Sequence, residues 1–324
     1  MRVFARLALL LGAGALVWLI VREGPSVIAD SLSSAGPVLL WLVPLHALPM
    51  LLDVLGWRLL LTQRVGLVAL FWVAAVREAF DRLLPVANIG GQIVGIRLLV
   101  VRGVDPVVAS SSVIIELLVT LSGLLLFGLL GLVCVSAARG APVLTADTMT
   151  GLAVVLAVIV AVTVLLRTGH LFDRLRRVLE HTLGGRLQSL GLSVRLASLD
   201  AAVRGLLASP GRLAAAVAWQ LSGLIAGSAE TWLALRWLGH PVGIAAAIGL
   251  ESLTQATRHL VFFIPAGLGV QEAGLVAVGQ LLGLESGVAL ALSLAKRMRE
   301  LLFGVPAIIA WYCLEERGHL QQSR

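Results

Sequence analysis

The chain has 324 residues, 59% of them hydrophobic and only 13% charged, with a net charge of +7 and a mean hydropathy of +0.98. Soluble domains carry about 25% charged residues, so a soluble core of this size could not hide so much apolar surface. Apolar runs recur from end to end, without the short alternating segments of a membrane β-barrel, and predict an all-α, polytopic integral membrane helical bundle forming one domain over 1–324.

In chain order, residues 1–21 carry Arg2 and Arg6 and then run apolar to Val21. No small-residue cleavage pattern precedes Arg22-Glu23, so the segment reads as a retained first helix rather than a signal peptide. Apolar spans follow near 37–62, 65–84, 86–102, 106–135, 150–166, 212–238, 242–264, 267–283 and 286–312. One polar insert, 167–211, mixes arginines with leucines at near-helical spacing, as expected of a basic amphipathic segment on the anionic cytoplasmic leaflet. Cys134 and Cys313 lie far apart in apolar segments, with neither disulfide nor metal spacing. Of the 25 basic side chains only Lys296 is a lysine, and it falls inside the last apolar span.

The distribution of arginines sets a topology. With 167–211 cytoplasmic, the positive-inside rule also places Arg2, Arg6, Arg58, Arg64, Arg97, Arg102 and both termini on the cytoplasmic side of an inner membrane. Two elements are then inverted. The first (65–102) enters and leaves from the cytoplasm, the second (242–283) from the opposite side. Each is broken by Pro and Gly: Pro85, Gly90 and Gly91 in one, Pro265, Gly267 and Gly269 in the other. The broken elements read as re-entrant hairpins, although 65–84 is long enough to span. The two repeats cover about 65–135 and 242–312. Ungapped alignment matches Pro85 with Pro265, Gly103 with Gly283, Gln92 with Glu272 and Glu116 with Lys296. Inverted, helix-broken repeats are a common plan of secondary transporters.

The run Leu84-Pro85-Val86-Ala87-Asn88-Ile89-Gly90-Gly91-Gln92 resembles the first signature of the flippase-like, or lysylphosphatidylglycerol-synthase transmembrane-domain, family. Ile264-Pro265-Ala266-Gly267-Leu268-Gly269-Val270-Gln271-Glu272 resembles its second. The run 289–297 and Gly304-Val305-Pro306 look most like the branch of hopanoid-biosynthesis-associated membrane proteins. The resemblance spans essentially the whole chain. It implies handling or flipping of an amphiphilic lipid. It departs at Gln92, where family members often carry an acid. The soluble aminoacyl-transfer domain of lysyl-lipid synthases is absent from this sequence, so no enzymatic role carries over.

The candidate residues are polar groups in apolar spans. Glu272 and Gln92 follow helix breaks, where an acid or amide either caps free N–H groups or helps a helix N-terminus bind a headgroup. Glu116 shares a face with Ser112, Thr120 and Gly123. A charge at mid-bilayer costs about 2.5–3.5 kcal/mol on insertion scales, so Glu116 calls for a partner or water. Lys296, Arg297, Arg299 and Glu300 lie at similar depth. Lys296 and Glu300 could neutralise each other across one turn, which leaves two arginines for Glu116 or Glu272. Arg82, with Arg77, Glu78 and Asp81, lines a cavity floor if the element is re-entrant, with Arg258-His259 as its inverted counterpart. Asp53, in a stripe with His46 and Trp57, is expected to pair with Arg58. Gln220, Gly223, Gly227 and Glu230 line another face, with Gly223-x3-Gly227 as a packing motif.

Nucleotide loops, hydrolase elbows, metalloprotease motifs and Cys/His clusters are absent from the sequence. The expectation is therefore a non-enzymatic lipid flippase or transporter with no cofactor, metal or nucleic-acid partner. It would handle a hopanoid, a phospholipid or a polyprenyl phosphate, with hopanoid-biosynthetic enzymes as candidate partners. A membrane scaffold for lipid-biosynthetic enzymes is the alternative, and an intramembrane headgroup-modifying enzyme a weaker third.

Overall fold

The computed structural model describes residues 18, 21, 25–83, 90–140, 145–169, 172, 174, 177–178, 192–261, 264 and 268–322, with no strand among them. Pro85, Pro265 and Gly267, three of the expected helix breaks, lie outside the described residues, as does most of 170–191 in the middle of the insert. The helices are α1 (Pro25–Ala35), α2 (Leu42–Leu45), α3 (Ala47–Leu60), α4 (Leu67–Leu83), α5 (Gly90–Val101), α6 (Pro106–Arg139), α7 (Ala146–Thr168), α8 (Leu192–Leu207), α9 (Pro210–Trp237), α10 (Ile244–Leu260), α11 (Val270–Leu281) and α12 (Ser286–Gln322). A 3-10 segment, Gly36–Trp41, joins α1 to α2.

Among the described residues, three stretches are long and apolar enough to cross a bilayer: Leu32–Leu60, Pro106–Arg139 and Ala146–Thr168. Helix α7 is the plainest case. Val154, Leu156, Val158, Val160 and Val164 are all exposed, and of its residues only Leu166 is buried. An apolar helix that turns this much hydrocarbon outward needs lipid as its solvent. Helices α9 and α12 are also long, at 28 and 37 residues, but carry Glu230 and the Lys296–Glu300 charges within them.

The two broken elements are hairpins, α4–α5 and α10–α11. Their second arms have 12 residues each, about 18 Å of helix, well short of a hydrocarbon core about 30 Å thick. Each hairpin leads through the same turn into a long helix. Gly103 (φ 86°) and Gly283 (φ 80°) take the left-handed conformation that glycine tolerates. The N–H of Val104 then bonds to Leu99 O, and that of Leu284 to Gly279 O, closing both helix ends alike. Asp105 caps α6 by accepting from the N–H groups of Val107 and Val108.

Helix packing follows a two-fold pattern. Helix α4 of the first hairpin packs on α12, which follows the second. Helix α10 of the second hairpin packs on α6, which follows the first, and α3 packs on α9. Each half has its own apolar cluster. One is centred on Val54, Leu70, Val73, Leu99 and Ile115, the other on Leu235, Leu250, Leu275, Leu290 and Leu292.

Close approach at the crossings depends on glycine. A Cβ on Gly223 would lie 2.2 Å from Asp53 Oδ1. The paired Gly227 has nothing within 4 Å, so the Gly223-x3-Gly227 stripe packs at one position only. Asp53 is held against Gly223 and does not pair with the exposed Arg58, and its Oδ1 has no hydrogen-bond partner among the described residues. At the α6–α10 crossing, a Cβ on Gly131 would fall 1.6 Å from Ser252 Oγ and 2.7 Å from its Cβ, whereas one on Gly128 meets nothing within 4 Å.

Gly131→Ala should therefore destabilise the protein by about 1–3 kcal/mol through overpacking. Gly128→Ala should be neutral or stabilise it by up to about 1 kcal/mol through helix propensity. Thermal unfolding of the two variants in the same detergent checks this pair.

Candidate functional site

Ionisable side chains inside a bundle of this kind must find partners, because lipid offers none. In each half the same three-part arrangement meets that demand. In the first, Arg77 on α4 donates to Gln92 on α5 and to Glu116 on α6, the latter at 2.8 Å. In the second, Arg258 on α10 donates to Gln271 on α11 at 2.7 Å and to Glu300 on α12 at 3.1 Å. The arginine and amide are 15 residues apart in one half and 13 in the other, and the arginine and acid 39 and 42. The constant-offset alignment matched Gln92 with Glu272 and Glu116 with Lys296. In space, the corresponding groups are Gln271 and Glu300. Gln271 precedes Glu272 by one residue and Glu300 follows Lys296 by one turn, so the triads do not keep the offset of the Gly103 and Gly283 turns.

The first triad is closely walled. The Arg77 guanidinium lies 4.2 Å from the Trp57 ring centroid, a favourable cation–π distance. Trp57 Nε1 donates to Ser112 Oγ at 3.3 Å. Two glycines bring α5 against α4. A Cβ on Gly95 would lie 2.3 Å from Arg77 Cδ, and one on Gly91 2.5 Å from Arg77 O. The Gly91 N–H donates to Asp81 Oδ1 at 3.0 Å. Gly90 and Gly91 thus open α5 rather than break a helix. In the second hairpin Gly269, at φ 76°, immediately precedes α11.

The second triad opens into a larger network. Glu300 accepts from Arg258 and from Arg297 at 3.1 Å, and lies 3.6 Å from Arg82 and 4.0 Å from Arg299. It thereby joins the first hairpin, through Arg82, to the second, through Arg258. Glu272 is fully buried, and its Oε1 accepts from Arg297 Nε at 3.1 Å and from Ser293 Oγ at 3.0 Å. Its Oε2 has no hydrogen-bond partner among the described residues. Arg299 pairs with Glu230 on α9. His46, at the start of α3, lies between two carboxylates, with Nε2 3.0 Å from Glu78 and Nδ1 3.0 Å from Glu230. Phe303 meets the His46 ring edge-on at 5.2 Å. Arg82 also contacts Glu78, its neighbour one turn back, at 3.4 Å.

Lys296 stands slightly apart. It pairs with Glu251 on α10, which also accepts from Thr231 and from Gln255. It does not pair with Glu300 one turn away, because Glu300 is taken by the four arginines around it.

Of the residues singled out in the sequence, Glu272, Arg297, Arg299, Glu300 and Arg82 meet in one network, and Lys296 adjoins it. Gln92 and Glu116 form the separate Arg77 triad. The site also needs His46, Glu78, Glu230, Glu251, Arg258, Gln271 and Ser293. Glu251 has one visible signal, an acid within an apolar segment with no cation one turn away. Its partner lies 45 residues on, and local spacing cannot reveal that.

Among the described residues the network leaves little free space. The void lined by His46, Glu78, Ala79, Arg82, Glu300, Phe303 and Gly304 measures about 10 Å³, near the lower bound for one water. The described residues include no group of three or more His, Cys, Asp or Glu that could hold a metal ion. The geometry is suited to storing charge in exchangeable pairs, since several cations share one carboxylate and each guanidinium presents several donors.

Comparison with known families gives one finding, a match of residues 4–307 to the family model described as Lysylphosphatidylglycerol synthase TM region. Comparisons with curated proteins and with solved structures give no match.

Removing one member of a buried pair costs about 3–5 kcal/mol, while removing both costs much less. Lys296→Met alone, or Glu251→Gln alone, should lower thermal stability by that order. The double variant should recover most of the loss. A loss in the double variant equal to the sum of the two single losses would show that the pair is not coupled.

Proposed function

The chain belongs to the family of lysylphosphatidylglycerol synthase transmembrane regions, and on that premise we propose that it moves an amphiphilic lipid between the leaflets of a bacterial inner membrane, without catalysis. The observation that supports this most is the convergence of both hairpins on Glu300. Arg82 from one hairpin and Arg258 from the other lie against the same carboxylate. A carboxylate shared in this way can exchange partners as the hairpins shift, so that each arrangement stays electrostatically satisfied. An anionic headgroup entering between the hairpins would take the place of Glu300 toward the arginines.

In this reading the crossed packing of α4 on α12 and α10 on α6 reflects two inverted repeats, about 65–135 and 242–312. The compact network is then the occluded arrangement of an alternating-access cycle. The arginine distribution favours both termini in the cytoplasm. The resemblance to the hopanoid-associated branch favours a hopanoid cargo, with phospholipid and polyprenyl phosphate as alternatives. The four arginines suit a phosphate better than a polyol.

A second reading, a non-transporting scaffold for lipid-biosynthetic enzymes, is favoured by one observation. The buried charges satisfy one another, and the void among them has room for about one water.

Flipping of a fluorescent phosphatidylglycerol in proteoliposomes separates the two. The transport reading predicts activity for the wild type and a loss of about tenfold or more in Glu300→Gln and Arg297→Ala, with both variants still folded by gel filtration. A factor of ten is about 1.4 kcal/mol, a modest demand on a charge-assisted contact. Full activity in both folded variants would remove the network from the transport path. Absence of flipping by the wild type, for this lipid and for hopanoid and polyprenyl phosphate probes, would favour the scaffold.

A further inference from the structure

A second polar feature shares no residue with the ion-pair network. At one end of the bundle, the 61–66 connection faces the turn 102–104 across an open cavity of about 440 Å³, within the range of ligand sites. Arg64 and Arg102 both line it and both are exposed. The connection is tied in place by Gln63, whose Oε1 accepts from Asp105 N at 2.9 Å. The guanidinium of Arg102 is held over the Trp72 ring at 4.3 Å from its centroid and donates to Leu98 O at 3.3 Å. Asp105, the acid closest to Arg102 in sequence, is engaged in capping α6. Gly66, just before α4, and Ala69, in its first turn, form one wall, so the positive end of that helix dipole adds to the two arginines.

Apolar side chains adjoin the lining residues along the chain: Val68 on α4 and Val101 on α5 are 84% and 75% exposed. Cationic groups, one of them held in place, beside outward apolar helix faces at the end of a membrane bundle match the layered chemistry of a phospholipid at the water–lipid boundary.

We infer that this cavity is a binding site for the phosphate headgroup of an anionic membrane lipid, with Arg64 and Arg102 as its ligands and the acyl chains lying along α4 and α5. It is a resident lipid site, independent of any transported cargo. A preorganised guanidinium takes phosphate oxygens through parallel N–H donors, while zwitterionic phosphatidylcholine adds a quaternary cation beside two arginines. The site therefore selects for anionic lipid.

The test uses the full chain in mixed micelles of equimolar phosphatidylglycerol and phosphatidylcholine, with retained lipid quantified by mass spectrometry. The wild type should retain phosphatidylglycerol in excess. Arg64→Gln and Arg102→Gln should each lower that excess about fivefold, the scale expected for one interfacial arginine. Arg139→Gln, at the far end of α6, should leave it unchanged. Should Arg102→Gln lose its fold, Arg64→Gln carries the test alone. An unchanged excess in the folded pocket variants, or an equal drop in Arg139→Gln, overturns the site. Displacement of the retained lipid by inorganic phosphate would reassign the cavity to a free anion and overturn the lipid assignment.

Discussion

Lipid cannot solvate a charge, and this constraint organises the molecule. Each ionisable group inside the bundle has to be brought to a partner on another helix, and the helices pack where those partnerships can be made. Arg77, Arg258, Lys296 and Arg299 each reach an acid on a different helix. In water such pairs would contribute little net stability. Within a membrane bundle the alternative is an unpaired charge, so their strength lies in the cost of breaking them. The apolar clusters of the two halves supply bulk packing, but hydrocarbon contacts cannot fix orientation against lipid of the same polarity. The ion pairs and the glycine crossings supply that specificity.

The second organising feature is the exchange of long helices between the halves. Because α4 rests on α12 and α10 on α6, neither hairpin is supported only by its own half. A shift of one hairpin is felt by the helix that follows the other. Glu300 lies where that coupling is tightest, in reach of cations from both hairpins. The Arg–Gln–Glu triads place a like chemistry in both halves, yet they are not equivalent. The first is sealed by Trp57 and two glycines. The second is open to Arg82, Arg297 and Arg299, and through them to His46 and Glu78. The asymmetry puts the exchangeable charges in the second half.

Much of this was legible in the sequence, because membrane helices are written as long apolar runs. The expected spans near 65–84, 106–135 and 286–312 match α4, α6 and the first part of α12 to within a few residues at most boundaries. The rarity of charges in apolar spans also singled out Glu272, Arg297, Arg299 and Glu300, and of the two acids expected to meet the arginines, Glu272 reaches Arg297 while Glu116 is taken by Arg77. The pairings themselves were not legible. His46 meets Glu230 across 184 residues and Arg299 across 253, and no local periodicity encodes such contacts. Local rules misled in two places. A one-turn Lys296–Glu300 pair and an Asp53–Arg58 pair were reasonable by spacing, but tertiary partners took Lys296 and Glu300, and close packing on Gly223 held Asp53. The ungapped alignment matched Gly103 with Gly283, where the turns agree, but it missed the Gln271 and Glu300 partners of the second triad.

The functional account rests on the closed network being one arrangement of a protein that opens to both sides. Ala79 lines the void beside Glu300 and is 2% exposed, which makes it a direct reporter. The decisive measurement places a cysteine there, in a chain with Cys134 and Cys313 replaced, and applies a membrane-impermeant thiol reagent to one face of sealed proteoliposomes at a time. A lipid transporter working by alternating access predicts labelling from each face. Protection from both faces under conditions that support flipping would contradict the account and leave the ion pairs as fixed struts.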